Sequence, residues 1–189
     1  MAVQAKTDSR GGRNNNRRPE LTEEQKQFEE LVINIDRVAR VVKGGRRFRF
    51  KALVVVGDRK NRVGVGVAKG ADVQTAIAKA ADVAKKSFIT IPIANDTIPH
   101  DAEVKVSGAQ VLIKPAAPGT GIIAGGVVRS IIGVTGVRNL LSKSLGSTNK
   151  VNIAYATIDA LKSLVPKEEW LNAPKKKAAP KKEAKEETK

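Results

Sequence analysis

The chain has 189 residues, a net charge of +16, 41% apolar residues, 3% aromatics and no cysteine. That length supports one or two small domains with cores of Val, Ile, Leu and Ala. The absence of cysteine excludes disulfides and thiolate metal sites, which fits a reducing compartment. The start M-A-V-Q-A-K-T-D lacks a signal peptide's apolar run, and no stretch reaches the ~18 apolar residues of a membrane span. The reading is a cytosolic protein with no membrane partner.

Residues 1–20 are polar and basic, without periodicity, and read as a flexible basic arm. Thr22 with Gln25 fits a capping box and predicts a short helix from about Glu23 to Leu31. V-I-N-I-D-R-V-A-R-V-V, from Val32, is rich in β-branched residues and predicts a strand. After the turn K-G-G-R-R, the next strand alternates Phe48, Phe50 and Ala52 with Arg47, Arg49 and Lys51. That puts rings on one face and cations on the other. G-D-R-K-N-R is a second turn. V-G-V-G-V-A is a third strand, whose Gly64 and Gly66 let a helix or a ligand approach the backbone. Asp72 caps a helix in which Val73, Ala76, Ile77, Ala80, Ala81, Ala84 and Phe88 face the sheet. Asp82 with Lys85 and Lys86 reads as pairing along that helix. The unit is βββα and spans 21–90.

I-P-I-A-N-D-T-I-P holds two prolines and reads as a linker, 91–100, with a short strand at its start. A second domain, 101–166, follows. A hairpin turns at Ser107-Gly108, and P-G-T-G-I-I-A-G-G leads into a helix near Val127 to Gly133. Residues 137–145 read as a strand, and G-S-T-N introduces a last helix to about Leu164, ended by Pro166. This ββαβα order gives an α+β fold class for the chain. The Lys-rich tail, 167–189, cannot bury a core and is expected to be disordered.

Charge placement narrows function. Between Arg37 and Arg62 lie ten Lys/Arg and one acid, Asp58, so more than half the net charge sits in about one seventh of the chain. Such a focus points to a polyanion, nucleic acid ahead of an anionic membrane. A solvated basic edge that blunts aggregation is the plain alternative. Against it, Arg46, Arg47 and Arg49 outnumber Lys43 and Lys51 in the hairpin, and the guanidinium fork suits phosphate. Gly44 and Gly45 permit φ > 0 and bring backbone N–H groups near a ligand. The second turn adds Arg59, Lys60 and Arg62 at the other end of a meander, so the charge forms a stripe suited to a long polymer. Arg40 and Lys69 complete the candidate RNA-binding set. No helix carries the charge, which leaves a major-groove reader unsupported. Few aromatics argue against a single-strand stacking sheet, and Phe48 and Phe50 read as core. Structured RNA, recognised by backbone and shape, remains. The βββα order is also analogous to part of a double-stranded-RNA-binding fold.

The glycine stretch fails as a nucleotide site. No Lys follows Gly125 or Gly126 as a phosphate loop requires, and Gly119, Gly121 and Gly125 give G-x-G-x-x-x-G. A tight turn into a helix, a single backbone phosphate, or close packing against another protein remain. His100 is the only histidine, and Asp101 with Glu103 lacks a basic partner, so catalytic and metal residues are none and no cofactor is called. A small ATPase- or kinase-like enzyme and a free RNA chaperone are the alternatives.

Four motifs carry a resemblance: K-G-G-R-R-F-R-F-x-A-L-V-V-V-G-D, R-V-G-V-G-V-A-K, P-A-A-P-G-T-G-I-I-A-G-G-V-V-R and G-S-T-N-x-x-N-I-A-Y-A-T. In order and spacing the chain resembles the bacterial-type small-subunit ribosomal protein S-five family from about Phe28 to Leu164. The resemblance implies a cytoplasmic, ribosome-bound protein that binds small-subunit rRNA. It also implies a double-stranded-RNA-binding-like first domain and a second domain of the left-handed βαβ type shared with several ATPases and kinases. It further implies contacts with ribosomal proteins S-three, S-four and S-eight, a place by the entering mRNA, and an influence on decoding accuracy through S-four. By the same resemblance, Lys43 to Phe50 is the family's loop near the head–body neck, close to where spectinomycin binds. Gly119, Thr120, Gly121, Gly125, Gly126 and Arg129 belong to its S-four boundary. Arg49 stands where many members have a small polar residue, and it adds charge to the loop.

Overall fold

The computed structural model describes residues 28–166, so the arm, the tail and most of the predicted helix 23–31 lie outside the described residues. Glu29, Glu30 and Leu31 correct the remainder of that helix. They open β1 (Glu29–Val42), paired with Gly57, Val56 and Val55 of β2 (Gly45–Gly57). Cross-strand pairing supplies backbone partners that a local capping signal does not anticipate.

β3 (Arg62–Gly70) and β4 (Ile89–Thr90) complete an antiparallel sheet in the order β1-β2-β3-β4. Helix α1 (Val73–Lys86) crosses one face, burying Ala76, Ala80, Ala81 and Ala84 on Ala52, Val54 and Val56. Small residues on both sides set the distance. A Cβ at Gly64 would lie 2.2 Å from the Ala84 carbonyl oxygen, and one at Gly66 2.1 Å from that of Ala80. The close approach foreseen at these glycines is therefore made by a helix. Lys85 reaches Glu30 of β1 (2.8 Å) rather than Asp82 on its own helix.

The second sheet holds β5 (Ala102–Val106), β6 (Ala109–Pro115), β7 (Ile122–Ile123) and β8 (Leu140–Gly146) in the order β5-β6-β8-β7. β7 runs parallel to β8 and lies inside the glycine stretch, where two residues are too few to show a period. β8 starts at Leu140, three residues later than expected. Helices α2 (Gly126–Gly133) and α3 (Lys150–Lys162) pack together, and α3 lies against β5, β6 and β3. Asn149 caps α3 by accepting the Val151 N–H at 3.1 Å.

The two domains share a core. Leu53, Val55, Val63 and Val65, on the face of the first sheet turned away from α1, join one apolar cluster with Val111, Ile113, Ile131, Ile132, Leu140 and Leu161. The segment 91–100 is built into it. Ile91 and Ile98 are buried there, the Ile91 N–H donates to the Asn61 carbonyl (2.9 Å), and the Asp96 carbonyl accepts from Arg138 and Asn139. The architecture is α+β, an antiparallel βββα layer joined to a mixed-sheet layer.

Candidate nucleic-acid interface

Strand alternation decides where each cation points. Leu53 and Val55 of β2 face the shared core, and the same parity carries Lys51, Arg49 and Arg47 onto the continuation of that face. Across the ladder, Arg47 stands opposite Arg40 of β1, and Lys51 opposite Lys69 of β3. Like charges directly opposite each other repel and weaken a sheet. Asp36 offsets part of this through an ion pair to Lys51 (2.8 Å), which holds the Asp36 carboxyl below the ordinary range together with the Asn34 amide. Arg40, Arg47, Arg49 and Lys69 line a cavity of about 240 Å³ with Val38 and Ala39. A phosphate is only a few ångströms wide, and cations arranged around a depression of this size suit one or two of them.

The turn itself is Lys43-Gly44, closed by the Val42–Gly45 pair. Gly45 adopts φ = 148°, and a Cβ at Gly44 or Gly45 would meet nothing within 4 Å. Conformation rather than packing requires glycine at Gly45, and the tip stays open to approach. Arg46 pairs with Val41 and so lies on the opposite face from Arg47, with Phe48 and Phe50. Phe50 packs on the α1 cluster, while Phe48 is 50% exposed, which corrects its reading as core. Arg37 sits over the Phe48 ring, its guanidinium carbon 3.7 Å from the centroid. Sequence reasoning passed over Arg37. Counting the register back from a two-residue turn places it one diagonal step from Phe48.

Arg59, Lys60 and Arg62 stand at the far end of β2, about 40 Å away at ~3.3 Å per residue. Their surroundings differ. Asp58 is a hub whose Oδ1 accepts the N–H groups of Lys60, Asn61 and Arg62 (2.9, 3.1 and 3.0 Å), while its Oδ2 accepts from Arg62 Nε at 2.8 Å. Burial raises the pKa of this carboxyl, but the Arg62 side chain and the three N–H groups outweigh it and hold it far below the usual carboxylate range. Arg59 donates through two nitrogens to the Glu29 carboxylate, and its N–H donates to the Val134 carbonyl (3.0 Å) of the second domain. A Cβ at Gly136 would come within 2.2 Å of the Arg59 carbonyl oxygen. This end of the sheet is therefore docked on protein, with two of its guanidinium groups matched to carboxylates. The predicted set thus divides. Arg40, Arg47, Arg49, Lys51 and Lys69 share one face, Lys43, Gly44, Gly45 and Arg46 form its tip, and the other three occupy a separate site.

The glycine loop is organised by Asn139, whose side-chain oxygen accepts the N–H groups of Gly119 (3.1 Å) and Gly121 (3.0 Å). Both glycines have positive φ, 89° and 74°. Those N–H groups are turned inward to Asn139 and do not form a phosphate cradle. A Cβ at Gly119, Gly121, Gly125 or Gly126 would meet nothing within 4 Å, and Thr120 and Arg129 are exposed beside them. The stretch is an open surface with a low profile. Both nitrogens of His100 are engaged by backbone: Nε2 accepts the Val165 N–H (3.0 Å) and Nδ1 donates to the Asp101 carbonyl (2.7 Å). Among the described residues no group of three or more potential metal ligands gathers.

Comparison with known proteins matches two family descriptions in succession. "Ribosomal protein S5, N-terminal domain" covers residues 28–92, and "Ribosomal protein S5, C-terminal domain" covers residues 104–172. The chain belongs to the ribosomal protein S5 family. The S5-family protein of Thermus thermophilus, "Small ribosomal subunit protein uS5", is 53% identical over 137 residues, 72% of this chain and 85% of the relative. Proteins of that name from individual strains of the same species match to the same extent. The S5 family is one of ribosomal proteins rather than enzymes, which sets aside the ATPase- or kinase-like alternative. The S5 matches cover the basic hairpin and the glycine loop alike.

Proposed function

We propose that this chain, a structural constituent of the small ribosomal subunit, anchors itself on small-subunit rRNA through the cationic face of the β1–β2 hairpin. The observation that carries this is the pairing of Arg40 with Arg47 and of Lys51 with Lys69 directly across the ladder. A sheet that sets like charges opposite each other is relieved when a polyanion lies over them. Lys43 and Arg46 extend the contact at the tip, and Gly44 and Gly45 keep that tip low. Lys60 offers a second, more distant contact. The resemblance adds the neighbours: ribosomal proteins S-four, S-three and S-eight, with the entering mRNA close by. Gly119 to Arg129 is proposed as the S-four boundary, since its glycines leave room for close approach by another protein. Through that boundary the chain would influence decoding accuracy.

The test is a salt titration of the full chain binding purified small-subunit rRNA. With roughly six phosphates engaged, affinity falls by about 10³ between 50 and 200 mM salt. Replacing Arg47 and Arg49 with Ala reduces both affinity and salt slope, while the melting temperature stays within a degree or two because both side chains are exposed. A flat titration in the parent chain defeats the reading. A large thermal loss in the double variant would instead make the two arginines structural.

A further inference from the structure

The hairpin has a second side. β3 stops at Gly70, opposite Phe50, so beyond that point β1 and β2 continue as a two-stranded ribbon. The helix covers the even-numbered face of β2 only as far as Phe50. One step further out, Phe48 is half exposed, and Val41, on the same face, is 77% exposed. Arg37 lies over the Phe48 ring at 3.7 Å. None of the carboxylates that form ion pairs among the described residues pairs with Arg37.

A planar cation resting on a ring does two things. It orients the ring, and it offers its own outer face as a second flat surface. Phe50, the other aromatic of β2, is partly covered by the α1 cluster, whereas Phe48 leaves half its surface in water and offers a π face to a flat partner. The local charge says which kind. Arg37 and Arg46 share this face, and Arg40, Arg47, Arg49 and Lys69 stand directly behind it. This field draws in groups borne on a polyanion and is not complementary to an uncharged apolar surface. Nucleobases carried on a phosphate chain combine a π face with that charge, and stacking on Phe or on a guanidinium plane is how unpaired RNA bases are held.

We propose that Phe48 and Arg37 form a stacking platform for an unpaired nucleobase of the RNA whose phosphates lie on the opposite face of the ribbon. The hairpin is then a blade gripped from both sides, with phosphates against one face and a base against the other. This rests on the reading of the hairpin as RNA-binding.

Two polyanions separate the contributions: purified small-subunit rRNA, which has bases, and heparin, which has none. With the full chain, Phe48→Leu weakens rRNA binding on the order of tenfold and leaves heparin binding unchanged. Phe48→Tyr restores the rRNA affinity. Phe48→Trp, placed in a Trp170→Phe background to remove the chain's one tryptophan, is quenched by rRNA and not by heparin. If Phe48→Leu binds rRNA as the parent does, or loses rRNA and heparin equally, the platform is overturned while the phosphate face stands. If the parent chain binds rRNA no better than an uncharged control, both readings fall together.

Discussion

Asp58 holds the far turn together with one carboxylate, receiving three backbone N–H groups and one guanidinium while only 6% of its side chain is exposed. Arg59 beside it adopts φ = 56°, a left-handed conformation uncommon for a non-glycine residue. Replacing Asp58 with Ala leaves several donors without an acceptor and is expected to cost about 2–3 kcal/mol, measured by urea unfolding. The sign of the pH effect follows from the depressed carboxyl. The stabilisation is complete above the unfolded pKa of about 4 and drains away as pH falls below it. An Asp58→Asn chain should therefore show a smaller stability difference between pH 6 and pH 3 than the parent. Equal acid sensitivity of the two chains would remove Asp58 from that account. Arg59 and Arg62 carry a related lesson. Their charge counts toward the basic stretch in the sequence, yet each is matched by a carboxylate in the fold.

Helix α1 and the sheet beneath it meet through Gly64, Gly66 and four alanines, so this interface is set by the absence of side chains. Gly66→Ala would force a methyl group to within 2.1 Å of the Ala80 carbonyl oxygen, which is main chain and cannot swing aside. The expected loss is about 3 kcal/mol or more, with a lower denaturation midpoint. Gly44→Ala, whose Cβ meets nothing within 4 Å, should be nearly silent by the same measurement. Comparable losses at both positions would argue against tight packing. Both glycines at α1 were legible in the sequence because V-G-V-G-V alternates them onto one face. The second hairpin at Ser107-Gly108 was legible for the same reason: period-two runs break at a turn residue, and Ser107 takes φ = 52° there. Other features were not legible. The start of β1 depends on a partner more than twenty residues away, β7 is two residues long, and the hub role of Asn139 depends on a loop some twenty residues earlier in the chain. Contacts of that kind leave no periodic trace. The cation face was readable from alternation alone, whereas the exposure of Phe48 depends on where α1 ends over the sheet, which no local pattern records.

Across the whole molecule the apolar cluster ignores the domain division. Leu53 and Val65 of the first sheet pack in the same core as Val111 and Leu140 of the second, and Ile91 and Ile98 of the connecting segment fill it between them. The expectation is a single calorimetric transition for the full chain. Leu53→Ala should lower its midpoint without splitting it, at a cost of about 2–5 kcal/mol. Two resolved transitions would show that the layers unfold independently. Because β2 is rooted in this core, its outer half is a projecting arm whose facing follows from the parity of its residue count. Removing one residue from each strand of the ribbon, at Ala39 and Phe48, would swap the two faces beyond the cut, turning Arg40 and Arg47 away from the phosphate side and Arg46 onto it. Removing two would shorten the reach and keep the orientation. Changes in how far this arm extends are thus quantised in steps of two, and an odd step reverses the hand that the protein offers.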